Sequence, residues 1–172
     1  MGIGDIIGFV SVAIGMIIAY PALLILLNIL FSKTTDRVAI RLEKGMKWSF
    51  FAGLIIVVIG SFLVVSLLSA GSVLQLIGFI LYLVLSFIGT IGNAALAKLF
   101  GARLSEMSEK KPSTLKELLS GGFVLTLSFA FPLIGWFVVM PIITCIAVGA
   151  MTLNLFRRSP RPVEITEEVL VP

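Results

Sequence analysis

Residues 121–156 read GGFVLTLSFAFPLIGWFVVMPIITCIAVGAMTLNLF, 36 consecutive positions without Asp, Glu, Lys, Arg or His. As one straight helix the stretch would be about 54 Å long at 1.5 Å per residue. The hydrocarbon core of a bilayer is only roughly 30 Å thick. The stretch also carries Pro132, Gly135 and Pro141, and Pro-Leu-Ile-Gly-Trp at 132–136 reads as a turn with an interfacial aromatic. It therefore divides into one segment over about Leu115–Phe131 and another over about Trp136–Phe156. The number of membrane segments in the whole chain depends on that division.

Two more charge-free runs lie upstream, Ile6–Ser32 and Trp48–Ala97. Of the 172 residues, 59% are hydrophobic and 13% charged, with a mean hydropathy of +1.16. A soluble domain keeps about a quarter of its residues charged. The chain reads as an integral membrane protein. A first span runs over about Ile6–Phe31, bent or loosened at Pro21. A second runs from about Trp48 to Ala70, a four-residue turn follows at Ala70–Val73, and a third span ends near Phe100. The expected fold class is all-α: a polytopic transmembrane helix bundle of five membrane segments, the fourth short or re-entrant, occupying residues 1–157. Residues 158–172 are rich in Pro and charge and are expected to be a disordered cytoplasmic tail.

Charge distribution tests the division independently. Lys33, Arg37, Arg41, Lys44 and Lys47 lie in one inter-span stretch. Lys98, Arg103, Lys110, Lys111 and Lys116 lie in a second, and Arg157, Arg158 and Arg161 in the tail. Four spans would divide these basic residues ten against three across the membrane; five segments place all 13 on one side. The positive-inside rule selects the second arrangement, in the plasma (inner) membrane of a prokaryote, multi-pass, with the N-terminus outside and the C-terminus cytoplasmic. A fourth segment that dips in and returns balances the charges equally well. The N-terminal MGIGD lacks the basic region and cleavage site of a signal peptide and is expected to persist as part of the first span.

Two helix faces stand out. Gly4, Gly8, Ser11, Gly15, Ala19 and Ala22 fall within about 80° of the first helix at 100° per residue. Small residues permit the close backbone approach that drives helix association in lipid, so this helix-packing stripe is either a homo-oligomer seam or a contact with a neighbouring helix of the same chain. The third helix carries a more polar face, with Gln75, Tyr82, Ser86 and Asn93 interleaved with Gly78, Gly89 and Ala97. Polar groups in hydrocarbon must meet protein or water. That face either lines a small solute path or makes interhelical hydrogen bonds. Asn28, Asn93 and Asn154 all lie near the cytoplasmic ends of their spans. A shared polar layer there would require the first helix to be contacted on both sides.

Much chemistry is excluded. There is no His, and Cys145 is alone, so the usual neutral-pH base and any Cys-cluster metal site are missing. Cys145 reads as a small packing residue. The membrane segments hold no ionisable residue of the kind that coupled transporters and pumps keep there. No set for intramembrane proteolysis and no phosphate loop occurs. No catalytic, cofactor or metal residues are assigned, and the expected function is not enzymatic.

In the first basic stretch, Thr35–Lys44 fits a short helix stopped by Gly45. Val38, Leu42 and Met46 line one side, and Arg37, Arg41, Lys44 and Lys47 face anionic lipid headgroups, with Trp48 at the interface. A partner-binding helix is the other reading. Thr114-x-x-Glu117 is a capping box that starts the fourth helix.

DRVAIRLEKGMKWSFFAGL at 36–54, Pro132-x-x-Gly135-Trp136 and the ending GAMTLNLFRRSPRP resemble a polytopic membrane domain of bacterial proteins. In that family the domain often follows an extracytoplasmic β-rich, bactofilin-like (polymer-forming) segment. The resemblance covers about four-fifths of the chain and implies no catalytic residues. This chain departs from it by lacking a β-rich segment, so anchoring such a polymer would need a separate partner. The expected function is a non-catalytic membrane anchor or accessory (scaffold) subunit. Its expected partners are membrane lipids and a membrane protein or a second copy, not nucleic acid. The alternative is a small channel or carrier for a neutral or lipid-like solute lined by the Gln75–Asn93 face.

Overall fold

The computed structural model describes residues 2–107, 114–130 and 133–156. They form five α-helices: α1 (Ile3–Leu30), α2 (Ser32–Leu68), α3 (Ser72–Glu106), α4 (Thr114–Ala130) and α5 (Met140–Phe156), with a π-helical turn at Gly135–Val139 before α5. Among the described residues there is no strand. Three helical stretches are long and apolar enough to cross a membrane: Ser32–Leu68, Ser72–Glu106 and Gly135–Phe156. Residues 157–172, including the expected tail, lie outside the described residues, as does Pro132.

The first basic stretch is helical rather than a loop. The chain bends at Phe31 and immediately enters α2, whose only non-helical residue is Gly45 (φ −161°, ψ 48°). Gly45 thus separates a basic helical segment, Ser32–Lys44, from the apolar segment beyond it, as expected from the sequence. The helix also continues through Pro21, although proline has no N–H to donate. The ring of Pro21 is buried, and its Cβ and Cα lie against Gly122 of α4.

Backbones meet where both helices carry small residues. On α2 and α5, Ser49 and Gly53 face Cys145 and Gly149; a Cβ on Gly149 would land on the Ser49 carbonyl oxygen, and one on Gly53 on that of Cys145. On α3 and α4, Ala97 and Gly101 face Glu117 and Gly121 in the same manner, and Gly92 of α3 sits on Ala147 of α5. Lipid tails are as apolar as leucine, so burial alone does not join these helices; close van der Waals packing across paired small residues does. Leu24, Leu27, Val38, Leu42, Leu96 and Leu125 fill the space around these crossings.

The same contacts fix helix register. Continued antiparallel from Ser49–Gly149 and Ala97–Gly121, α5 begins level with about Val58 of α2, and α4 ends level with about Ile88 of α3. The π-helical lead-in of α5 starts at Gly135, level with about Leu63, so the α2–α3 hairpin runs on to its turn at Ser69–Gly71 roughly 10–25 Å beyond the α4–α5 turn at 1.5 Å per residue. The α4–α5 hairpin is the short one. Gly71, at φ +95°, makes the longer hairpin's turn in a conformation that favours glycine.

The first helix does not run along its neighbours. Tyr20, Asn28 and Phe31, spread over about 16 Å of α1 at 1.5 Å per residue, meet α3 at Asn93, Ala94 and Phe87, within two turns of α3. α1 therefore crosses α3 obliquely, and its described buried residues, Pro21, Leu24, Leu27 and Asn28, all lie in its C-terminal half.

Candidate functional site

Among the described residues, the small-residue stripe of α1 is left open. Gly8, Ser11, Gly15, Ala19 and Ala22 are exposed, and a Cβ on Gly8 or Gly15 would meet no atom within 4 Å. Gly4 belongs to the same helix, but its surroundings lie outside what is described. The contact with a neighbouring helix of the same chain, one of the two readings of this stripe, is not made by Gly8 or Gly15 among the described residues. The oblique crossing brings the opposite face of α1, with Leu24, Leu27 and Asn28, into the core.

Asn28 is buried there. Its Nδ2 donates to the Leu24 carbonyl at 3.0 Å and the Ala94 carbonyl at 2.8 Å, while Oδ1 has no partner among the described residues. One position along α3, Asn93 donates to the Tyr20 hydroxyl at 3.0 Å. Two of the three asparagines thus share the α1–α3 crossing with only one side of α1 contacted. Asn154 is half-buried at the end of α5.

The polar face of α3 divides. Asn93 turns toward α1, while Gln75, Tyr82 and Ser86 are exposed on the outer surface of the bundle. Gln75 lines a shallow surface hollow with Leu68, Ser72, Leu76 and Phe79. Tyr82 and Ser86 line a separate groove of about 460 Å³ between α2, α3 and α5, which also reaches Ser61, Thr90, Asn93 and Thr144. The face does not enclose a single path.

At the α4–α5 turn, Gly135 is buried, and a Cβ there would press on the carbonyls of Ser128 and Phe129. The indole Nε1 of Trp136 donates to the Phe129 carbonyl at 3.0 Å while the ring stays 59% exposed. Here the turn residues close α4 onto the π-helical segment.

The described basic residues gather at the bundle end opposite the α2–α3 turn. Arg37 is exposed, with Nε donating to the Lys33 carbonyl at 2.9 Å; Lys44 and Lys47 are exposed as well. Arg41 is not on the free surface with them. Its Nη1 donates to the Leu153 carbonyl at 3.1 Å, satisfying the C-terminal end of α5, where unpaired carbonyls and the helix dipole attract a cation. Asp36 pairs with Lys98, tying the basic segment of α2 to α3. Sequence reasoning missed this pair and the Arg41 cap, because both join residues more than sixty positions apart. It also missed the Gly53–Gly149 and Gly101–Gly121 crossings. The available signal was small residues four apart on both partners, at 49/53 with 145/149.

Among the described residues no group of His, Cys, Asp and Glu is placed to hold a metal ion. Comparison with protein-family models, curated proteins and solved structures finds no match for the chain.

Proposed function

We propose that this protein is a non-catalytic anchor or accessory subunit of a prokaryotic plasma-membrane complex. In this reading it seats a transmembrane helix of a partner, or of a second copy, on α1. One observation carries this reading. Small residues at Gly53, Gly92, Gly101, Gly121 and Gly149 are all covered by other backbone, while the comparable stripe on α1 from Gly8 to Ala22 is bare. A small-residue face left to lipid forgoes the backbone contact that such a face permits.

In the bilayer, five segments are embedded. α2 and α3 cross fully, and α4 enters from the cytoplasmic side and returns through α5. At 28 residues α1 is about 42 Å long and still spans a roughly 30 Å core when tilted by up to about 45°. The N-terminus is outside and the basic end cytoplasmic, where Arg37, Lys44 and Lys47 meet anionic headgroups, each attracted by about 1 kcal/mol. Its resemblance to membrane domains joined to bactofilin-like segments makes a complex that holds a polymer-forming protein at the membrane the one it would serve.

The test is affinity purification in mild detergent with mass spectrometry of what stays bound. A stoichiometric partner, or a stable homo-oligomer, is expected from the native chain. It should be lost in Gly8→Leu and Gly15→Leu variants whose own melting temperature is unchanged. A native chain that is always recovered alone and monomeric would overturn the reading.

A further inference from the structure

The groove between α2, α3 and α5 opens where α5 parts from the longer hairpin, and its lining is out of keeping with its depth. Ser61 lies about 20 Å from Trp48 along α2, and Tyr82 about 15 Å from the hairpin turn along α3. Both positions fall within a hydrocarbon core roughly 30 Å thick. Among the described residues the hydroxyls of Ser61, Tyr82, Ser86 and Thr144 make no hydrogen bond. Thr90, which also borders the groove, returns its hydroxyl to the Ser86 carbonyl, and elsewhere in the bundle Thr126, Ser128 and Thr152 likewise bond the carbonyl four residues back. The phenol of Tyr82 has no such recourse. Hydroxyls left unpaired in hydrocarbon are unfavourable, so their convergence on one concavity calls for an occupant with polar atoms.

We propose that this groove binds an uncharged lipid whose head group carries carbonyl or hydroxyl oxygens, its tail lying along the exposed faces of α2 and α3. The lining holds no Lys, Arg, Asp or Glu, which excludes a phosphate head. A volume of about 460 Å³ is that of a small-molecule site rather than of a docked helix. Tyr82, Ser61, Ser86 and Thr144 donate to the head-group oxygens. Two sources share that chemistry, a diacylglycerol and a quinone. This site is separate from the bare face of α1 and does not depend on it.

The experiment uses the whole chain in phosphatidylglycerol nanodiscs with a diazirine-bearing diacylglycerol, its cross-links mapped by mass spectrometry. Cross-links are expected to concentrate on residues 57–68, 82–93 and 144–148. Competition by unlabelled diacylglycerol or by a short-chain ubiquinone distinguishes the two sources. Tyr82→Phe should lower labelling about threefold, the scale of one hydrogen bond within a membrane. Ser86→Phe, which fills the groove from an exposed position, should abolish labelling with the melting temperature unchanged. Even labelling over all lipid-facing helices, equal labelling by a diazirine-bearing phosphatidylglycerol, or undiminished labelling of Ser86→Phe would each overturn the proposal.

Discussion

A single methyl group distinguishes the two kinds of glycine in this chain. At Gly149 a Cβ would collide with the Ser49 carbonyl and the Gly53 backbone, neither of which is the yielding end of a side chain. Overpacking of that kind costs about 1–3 kcal/mol. In a chain of this size Gly149→Ala should lower the melting temperature in detergent by about 3–10 °C. At Gly15 the same methyl enters open space, and the lost backbone freedom of the unfolded chain favours alanine within a helix. Gly15→Ala should therefore leave the melting temperature level or slightly raised. Differential scanning fluorimetry of the two purified variants makes the comparison. Equal shifts would mean that the α2–α5 crossing is not where the backbones meet most closely. The ion pair Asp36–Lys98 supplies a contrasting magnitude. Its side chains are 45% and 37% exposed, so a double-mutant cycle of Asp36→Asn and Lys98→Met should give a coupling below about 1 kcal/mol. The pair orients the basic segment of α2 more than it stabilises the bundle.

Among the elements, legibility in the sequence followed the nature of the signal. The turn at 70–73 and the interruption at Gly45 were readable, because Gly-containing turns and charge boundaries are local. The environment of each face was not. Gly8, Gly15 and Ala22 on α1 and Gly53, Gly149 and Gly121 elsewhere look alike in a sequence; only the oblique crossing of α1 leaves the first set bare. Likewise the face from Gln75 to Asn93 forms one stripe on a helical wheel. It splits in space because α1 covers its lower end at Asn93 while its upper end outreaches α5. Arg41 shows the same limit. Among Arg37, Lys44 and Lys47 it reads as one more lipid-facing cation, yet its guanidinium closes the last turn of α5. Arg41→Ala should speed amide exchange over residues 150–156 about fivefold, the scale of one lost hydrogen bond, without affecting α3. The same change at exposed Lys44 should leave that exchange alone. Hydrogen exchange with mass spectrometry resolves both segments.

At the scale of the molecule, the unequal hairpins lead to a topology that chemistry can test. If α2 and α3 cross the bilayer fully, a register in which the α4–α5 turn is level with about Leu63 and Ile88 leaves Leu133 within the hydrocarbon, although it is 76% exposed in the chain. Lipid, not water, would then face it. Maleimides react with thiolates, which form in water and not in an apolar surround. The native chain has one cysteine, Cys145, buried at the α2–α5 crossing, and Cys145→Ala clears the background. In that background Ala70→Cys, at the α2–α3 turn, should label with a membrane-impermeant maleimide on intact cells. Met107→Cys, beyond the basic end of α3, should label only after permeabilisation. Leu133→Cys should react more slowly than either, by about tenfold or more, from both sides. Were Leu133→Cys to label on intact cells as fast as Ala70→Cys, the two hairpins would end at the same surface. All five helices would then be full spans, and the bilayer would have to thin locally over the short hairpin to meet its tip. Slow labelling from both sides instead leaves α4 and α5 as a wedge held in the cytoplasmic half by the Gly101–Gly121 and Gly53–Gly149 crossings.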